Sequence, residues 1–111
     1  MSAMDGFSYA TDLADVPDGG VVAVEVEGVE IALTRCGEEV FAVRDECSHA
    51  AVPLSEGDVE DCTLECWLHG SRFDARTGEV LNLPATEPVP VYPAKVTEDG
   101  GVLVDVSSPS I

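Results

Sequence analysis

The chain contains two histidines, and each stands beside a cysteine: Cys47-Ser48-His49 and Cys66-Trp67-Leu68-His69. Sixteen residues, 50–65, separate the two motifs. Two thiolates and two imidazoles delivered by two short loops constrain the fold more than any other feature. A scaffold must bring both loops to one point and hold them there. No histidine is left over for a second centre.

Two metal groups suit such a donor set. A tetrahedral zinc ion takes Cys2His2, but zinc motifs usually pair Cys with Cys and His with His at spacings of about two to five residues. Here each motif mixes the two, and Cys-x-His is tight for a zinc loop. The second group is a [2Fe–2S] cluster in which two His replace two Cys on one iron. Each loop then gives a thiolate to one iron and an imidazole to the other. On this reading Cys47 and Cys66 bind the inner iron, and His49 and His69 the outer one. Neutral imidazoles remove two negative charges relative to a four-Cys cluster, which raises the reduction potential.

The framework reads as β. Val22, Val24 and Val26 alternate with Ala23, Glu25 and Glu27, and Ile31 and Leu33 alternate with Glu30, Ala32 and Thr34. Phe41 and Val43 follow, and Val102, Val104 and Val106 repeat the period of two near the end. Turn signals separate these runs at Pro17-Asp18-Gly19-Gly20, Glu27-Gly28, Cys36-Gly37-Glu38, Thr77-Gly78 and Asp99-Gly100-Gly101. Only Asp12 to Val16 suggests a turn of helix. Short strands are expected at Asp61–Glu65 and Arg72–Asp74. Residues 1–5 and 107–111 are expected to fray. Short strands with glycine turns predict an all-β sandwich or barrel. A length of 111 residues fits one domain over 1–111. The segment from about 45 to 90 holds both ligand motifs and a proline-rich run, and it reads as a subdomain inserted into the β framework.

Charge narrows the partners. Asp and Glu number 22 against five Lys and Arg, a net charge of −17. Nucleic acid and anionic membranes demand basic patches, so both are excluded as partners. Basic protein surfaces are attracted instead. No apolar run reaches the length of a transmembrane helix, and no signal peptide is visible at Met1 to Asp5. A cytoplasmic, reducing compartment is therefore expected. Cys36 and Cys62 are read there as inert small residues, with a redox thiol or a disulfide as the alternative.

The segment Cys66-Trp67-Leu68-His69-Gly70-Ser71-Arg72-Phe73-Asp74, the turn Thr77-Gly78-Glu79-Val80 and the stretch Leu83-Pro84-Ala85-Thr86-Glu87-Pro88-Val89-Pro90-Val91-Tyr92 together resemble the second half of bacterial Rieske-type ferredoxins, including the ferredoxin components of aromatic-ring dioxygenases. The resemblance covers roughly residues 7–106 and disfavours zinc. It implies antiparallel β-sheets with a small cluster-binding subdomain and one [2Fe–2S] cluster on Cys47, His49, Cys66 and His69. Ser71, Trp67 and Pro84 would surround the ligands, with Ser71 placed to donate to a bridging sulfide. Trp67, Leu68, Ala50, Ala51 and Pro84 would form an apolar rim suited to transient docking.

Departures from the wider family are informative. Respiratory and photosynthetic Rieske proteins carry an extra cysteine in each loop, and the matching positions here are Val52 and Leu68. Phe73 replaces their tyrosine and so lacks its hydroxyl. Fewer hydrogen bonds to the cluster, and the acids Glu56, Asp58, Glu60, Asp61 and Glu65, place the expected potential near the low end of the roughly −150 to +300 mV span of Rieske centres.

Both histidines are spent on the cluster, so an oxygenase catalytic subunit with a two-His, one-carboxylate iron site does not fit these residues. A quinol-oxidising subunit lacks its disulfide pattern, and a clusterless binding module would lack the ligands. The expectation is a one-electron carrier with no catalytic residue of its own. It would pass electrons from a flavin-dependent reductase, met through that protein's basic surface, to a non-heme iron oxygenase or another redox acceptor. Service to an iron–sulfur assembly system is the alternative.

Overall fold

Ten short strands are found among the described residues: β1 (Ser8–Asp12), β2 (Val21–Val26), β3 (Val29–Cys36), β4 (Glu39–Arg44), β5 (Val59–Glu60), β6 (Thr63–Glu65), β7 (Arg72–Asp74), β8 (Val91–Tyr92), β9 (Ala94–Val96) and β10 (Gly101–Val104). They are seen in a computed structural model that describes residues 7–47, 52–67, 70–82, 87–107 and 109. Single 3-10 turns at Leu13–Asp15 and Leu54–Glu56 are the helical elements among these residues. The strands form three antiparallel sheets, ordered β1-β10-β9, β2-β3-β4-β8 and β5-β6-β7. The all-β expectation holds, and the expected turn of helix lies within Asp12 to Val16.

The four-stranded sheet is the centre of the molecule. Its first hairpin turns through Glu27 and Gly28, both at positive φ (48° and 82°), the mirror-image turn whose twist matches the flanking strands. Ile31, Leu33, Val40 and Ala42 point to one face and pack with Val102 and Val104 of β10. Ala32 and Val43 point to the other face and pack with Leu54, Leu64, Phe73 and Val89. Alternation in β3 predicts the strand but not its full burial: Ile31, Ala32, Leu33 and Thr34 are all inaccessible. The small side chain of Ala32 packs in the same cluster as Leu64 and Phe73 of the third sheet. β1, β5, β8 and β9 lack a readable alternation and form through pairing with their neighbours. Val106 packs on the core just past the end of β10. At the terminus expected to fray, Ser107 is tied back, its N–H and hydroxyl both donating to Asp105 Oδ1.

The chain leaves this sheet after Arg44 and returns at Val91, where β8 pairs with β4 through Val43↔Val91 and Ala42↔Tyr92. The excursion between them carries both ligand motifs. Gly78 makes its return possible. It sits at φ 78°, and an added Cβ would lie 2.1 Å from the Val89 carbonyl oxygen.

One sequence expectation is overturned here. Cys36 and Cys62 are not inert thiols but are joined in a disulfide, with Cα atoms 5.8 Å apart. The cause is topological. Cys36 closes β3, and Cys62 occupies the tight turn between β5 and β6, which the fold lays beside that strand end. Asp61 and Cys62 both have positive φ (51° and 62°), the same mirror-image hairpin turn as Glu27-Gly28. Cys62 thus sits where glycine is favoured, held by the cross-link and by the Ala75 N–H, which donates to its carbonyl at 3.0 Å.

Candidate metal centre

Cys47 and Cys66 are the two free cysteines, 3% and 0% exposed, and belong to the same buried cluster as Leu54, Leu64 and Phe73. The fold therefore sorts the four cysteines into one disulfide and a pair of buried free thiols around the same core. His49 and His69 lie outside the described residues, as do Ala50, Ala51, Leu68 and Pro84. Each follows its cysteine within three positions. Among the described residues no other group of His, Cys, Asp and Glu has the make-up of a metal site. Two thiols shielded from water, each opening a loop, fit a cluster that takes one thiolate from each loop.

The loops close in the same way. Cys47 N–H donates to Val52 O at 3.0 Å across the first, and Cys66 N–H donates to Ser71 O at 2.7 Å across the second. Gly70 N–H turns back onto Cys66 O at 2.8 Å. The necks of the loops differ. At the first, buried Asp45 accepts two hydrogen bonds of 2.7 Å from Ser55, one from its N–H and one from its hydroxyl. At the second, Glu65 and Arg72 are cross-strand partners and an ion pair at 3.0 Å. Asn82 then bridges the same loop, its Oδ1 accepting from Arg72 N–H at 2.6 Å and its Nδ2 donating to Gly70 O at 3.1 Å.

The turn that follows the first loop meets the start of the second at Gly57. A Cβ there would lie 1.7 Å from the Glu65 carbonyl oxygen and 3.4 Å from Trp67 N, so no other residue fits without moving the second loop. Asp45, Ser55, Gly57 and Asn82 were not singled out in the sequence. Their signal is weak: an Asp two positions before a ligand cysteine, a Ser-x-Gly after the first loop, and an Asn leading into the proline stretch.

Ser71 is fully buried at the base of the second loop, and Phe73, also inaccessible, belongs to the same core cluster as both thiols. Val52 is half-buried against the same core. Trp67 is 52% exposed beside Cys66, and Leu81, overlooked in the sequence, is 50% exposed where its N–H donates to Arg72 O. Glu56, Asp58 and Asp61 are exposed around the loops. All five cationic side chains are engaged within the molecule. Arg44 pairs with Glu46, Arg72 with Glu60 and Glu65, and Arg76 with Asp74. Arg35 donates to Gly37 O and Val16 O, and Lys95 lies over the Phe7 ring. The acidic excess is left on the surface. No helix among the described residues is long and apolar enough to cross a membrane.

Buried cysteines heading two adjoining loops on a three-sheet β scaffold define a family. The chain belongs to the Rieske [2Fe–2S] domain family, whose pattern matches residues 7–93. The group such a domain holds is one [2Fe–2S] cluster. The 3-phenylpropionate/cinnamic acid dioxygenase ferredoxin subunit of Escherichia coli (strain K12) is 43% identical over 99 residues, covering 88% of this chain and 92% of that protein. The ferredoxin of carbazole 1,9a-dioxygenase from Nocardioides aromaticivorans IC177 superposes with a TM-score of 0.84 at 34% identity, over 88% of this chain and 95% of the other. A chain from the complex of reduced oxygenase and oxidized ferredoxin in carbazole 1,9a-dioxygenase matches with a TM-score of 0.83 at 31% identity, over 89% and 92%.

Proposed function

We propose that the protein is the ferredoxin component of an aromatic-ring dioxygenase system, a one-electron carrier rather than a catalyst. The observation that carries this is the 43% identity running through 92% of a dioxygenase ferredoxin subunit. Cys47 and Cys66 hold the inner iron and His49 and His69 the outer one, on a cluster-binding unit spanning about 45–90 of a single domain. The cluster supplies reversible uptake of one electron. The chain's residues do the rest. Phe73, Leu54 and Leu64 keep water from the thiolate side, and the Asp45 and Asn82 contacts hold the two loops.

Half-exposed Trp67 and Leu81 flank the second loop and present an apolar contact beside the ligands. A partner that meets this tip brings its own redox centre near the outer iron. The carrier works in the cytoplasm, reduced by a flavin-dependent reductase whose docking face is basic, and an oxygenase is the acceptor. With a net charge of −17 and every cation internally engaged, encounter is steered by charge. The potential lies near the low end of the roughly −150 to +300 mV Rieske span.

Stopped-flow reoxidation tests this. Reduced holoprotein mixed with a terminal ring-hydroxylating oxygenase and its aromatic substrate should lose its electron faster than with buffer alone. Equal rates would remove the carrier assignment. Separately, His49→Cys and His69→Cys should each change the EPR signal of the reduced cluster, and an unaltered signal would remove that residue from the ligand set.

A further inference from the structure

We propose that Asp45 is a positioning residue for electron transfer, fixing the first ligand loop through Ser55 so that His49 meets the iron. The inference rests on the ligand assignment above, and goes beyond it to a residue that touches neither metal nor partner. Asp45 is the first residue after β4, and its N–H donates to Glu30 O at 3.0 Å, which anchors its backbone to the central sheet. Its side chain is 6% exposed. Oδ1 and Oδ2 accept the Ser55 N–H and hydroxyl, each at 2.7 Å. Ser55 belongs to the 3-10 turn Leu54–Glu56, whose Leu54 is fully buried beneath the loops. The carboxylate therefore joins sheet and turn on either side of residues 46–54, the segment that contains Cys47 and His49.

Stability alone gives no reason for a carboxylate at this place. Among the described residues no cation pairs with it. The clefts on its two sides are lined by Glu25, Glu30, Glu46 and Glu56, with Arg44 the one positive group. A buried anion among acids is unfavourable unless hydrogen bonds compensate, and a neutral residue would avoid the cost. What the carboxylate offers is two charge-assisted acceptors in one rigid plane, matched to the two donors of a single serine. Local rules broken at a cost to stability are expected beside functional sites. Outer contacts of this kind typically alter metal retention by about 10–100-fold.

The test uses holoprotein of the wild type, Asp45→Ala, Asp45→Asn, Ser55→Ala and Thr34→Ala. The last removes a part-buried hydrogen bond from Thr34 to Gly20 O, which ties β3 to the residue before β2, and serves as the control for general destabilisation. Iron release to a chelator, reduction potential and thermal midpoint are measured for each. Asp45→Ala should release iron about ten-fold faster and shift the potential, in line with lost support of a ligand. Ser55→Ala, which removes one of the two bonds, should fall between it and the wild type, and decides the matter if Asp45→Ala does not fold. Asp45→Asn, which keeps one acceptor for the N–H but gives up the charge, should recover part of the retention and stay short of the wild type. Thr34→Ala should lower the midpoint while leaving release rate and potential unmoved. Release at the wild-type rate in Asp45→Ala and Ser55→Ala, or the same acceleration in Thr34→Ala, would overturn the proposal. Failure of the ligand assignment is read separately, from the EPR signals of the histidine variants.

Discussion

The two ligand loops perform the same task with opposite physics. The first is fastened by a carboxylate, on a residue only 6% exposed, that accepts two short, part-buried hydrogen bonds from one serine. The second is fastened at its surface, by a part-exposed ion pair between Glu65 and Arg72 and by exposed Asn82. Buried charge-assisted bonds are strong and insensitive to salt, whereas exposed pairs contribute little and are screened. The neck of the first loop is thus expected to yield less than that of the second. The second also carries exposed Trp67, the apolar contact proposed above for a partner.

The sharpest break in this comparison is Gly57→Ala. It joins the loops, so its added Cβ, 1.7 Å from Glu65 O, must drive the second loop away from the first. Overpacking against backbone, which has no rotamer to escape into, is expected to cost upwards of about 3 kcal/mol. Little iron should be retained on purification. Iron content with far-UV circular dichroism checks this, and a wild-type iron load would show that the loops are not packed as tightly as their backbones indicate.

Next comes the disulfide, which fastens the base of the second loop's sheet to β3. It closes a sequence separation of 26 residues, for which chain-entropy arithmetic gives about 3.5 kcal/mol. Replacing Cys36→Ser together with Cys62→Ser should lower stability in urea by that amount. Cys36→Ser with Cys62→Gly should lose about 1 kcal/mol less, since glycine accepts the positive φ of residue 62 without penalty. Equal losses would mean that the turn carries no strain.

How much of this was legible in the sequence follows from what each feature depends on. The framework strands were visible because valine alternation is local, and a sheet with one apolar face leaves that period of two in the chain. Cys47 and Cys66 stood out as candidate ligands because metal chemistry narrows residue types. The Cys36–Cys62 link was not. Its partners are brought together by a hairpin turn made of Asp61 and Cys62, which lacks the usual Asn-Gly signal, and a compartment argument favoured free thiols. Asp45 and Asn82 were hidden for a different reason. Each acts by a side-chain bond to a residue ten or more positions away, and such bonds leave no periodic trace. β5 and β8, two residues each, exist through their partners alone.

A smaller effect is expected for Asn82→Ala. Two exposed hydrogen bonds are lost, about 1 kcal/mol in sum, with their backbone partners free to turn to water. The fold should persist. Amide exchange should quicken at Gly70 and Cys66 and leave Cys47 unchanged. Faster exchange at Cys47 as well would mean that the loops open as one unit.

The finest probe is salt on Arg72→Gln. Arg72 reaches Glu65 at 3.0 Å and Glu60 at 3.9 Å from a side chain 40% exposed, so its contribution should lie below about 1 kcal/mol. At low salt the variant should be slightly less stable than the wild type, with faster amide exchange across the second loop. As salt rises the difference should vanish, because screening removes from the wild type what the substitution has already removed from the variant. Asp45 and Ser55 are joined without an ion pair and the Arg44–Glu46 pair beside them is long and exposed, so Cys47 exchange should respond to salt less than the second loop in either protein. Partner docking gives the opposite sign of information. Electron transfer with a basic reductase should slow with salt in both, through the net charge of −17 rather than through any one contact. A salt response confined to the second loop separates local yielding from long-range steering. A first loop that loosened equally would erase the distinction between the two necks.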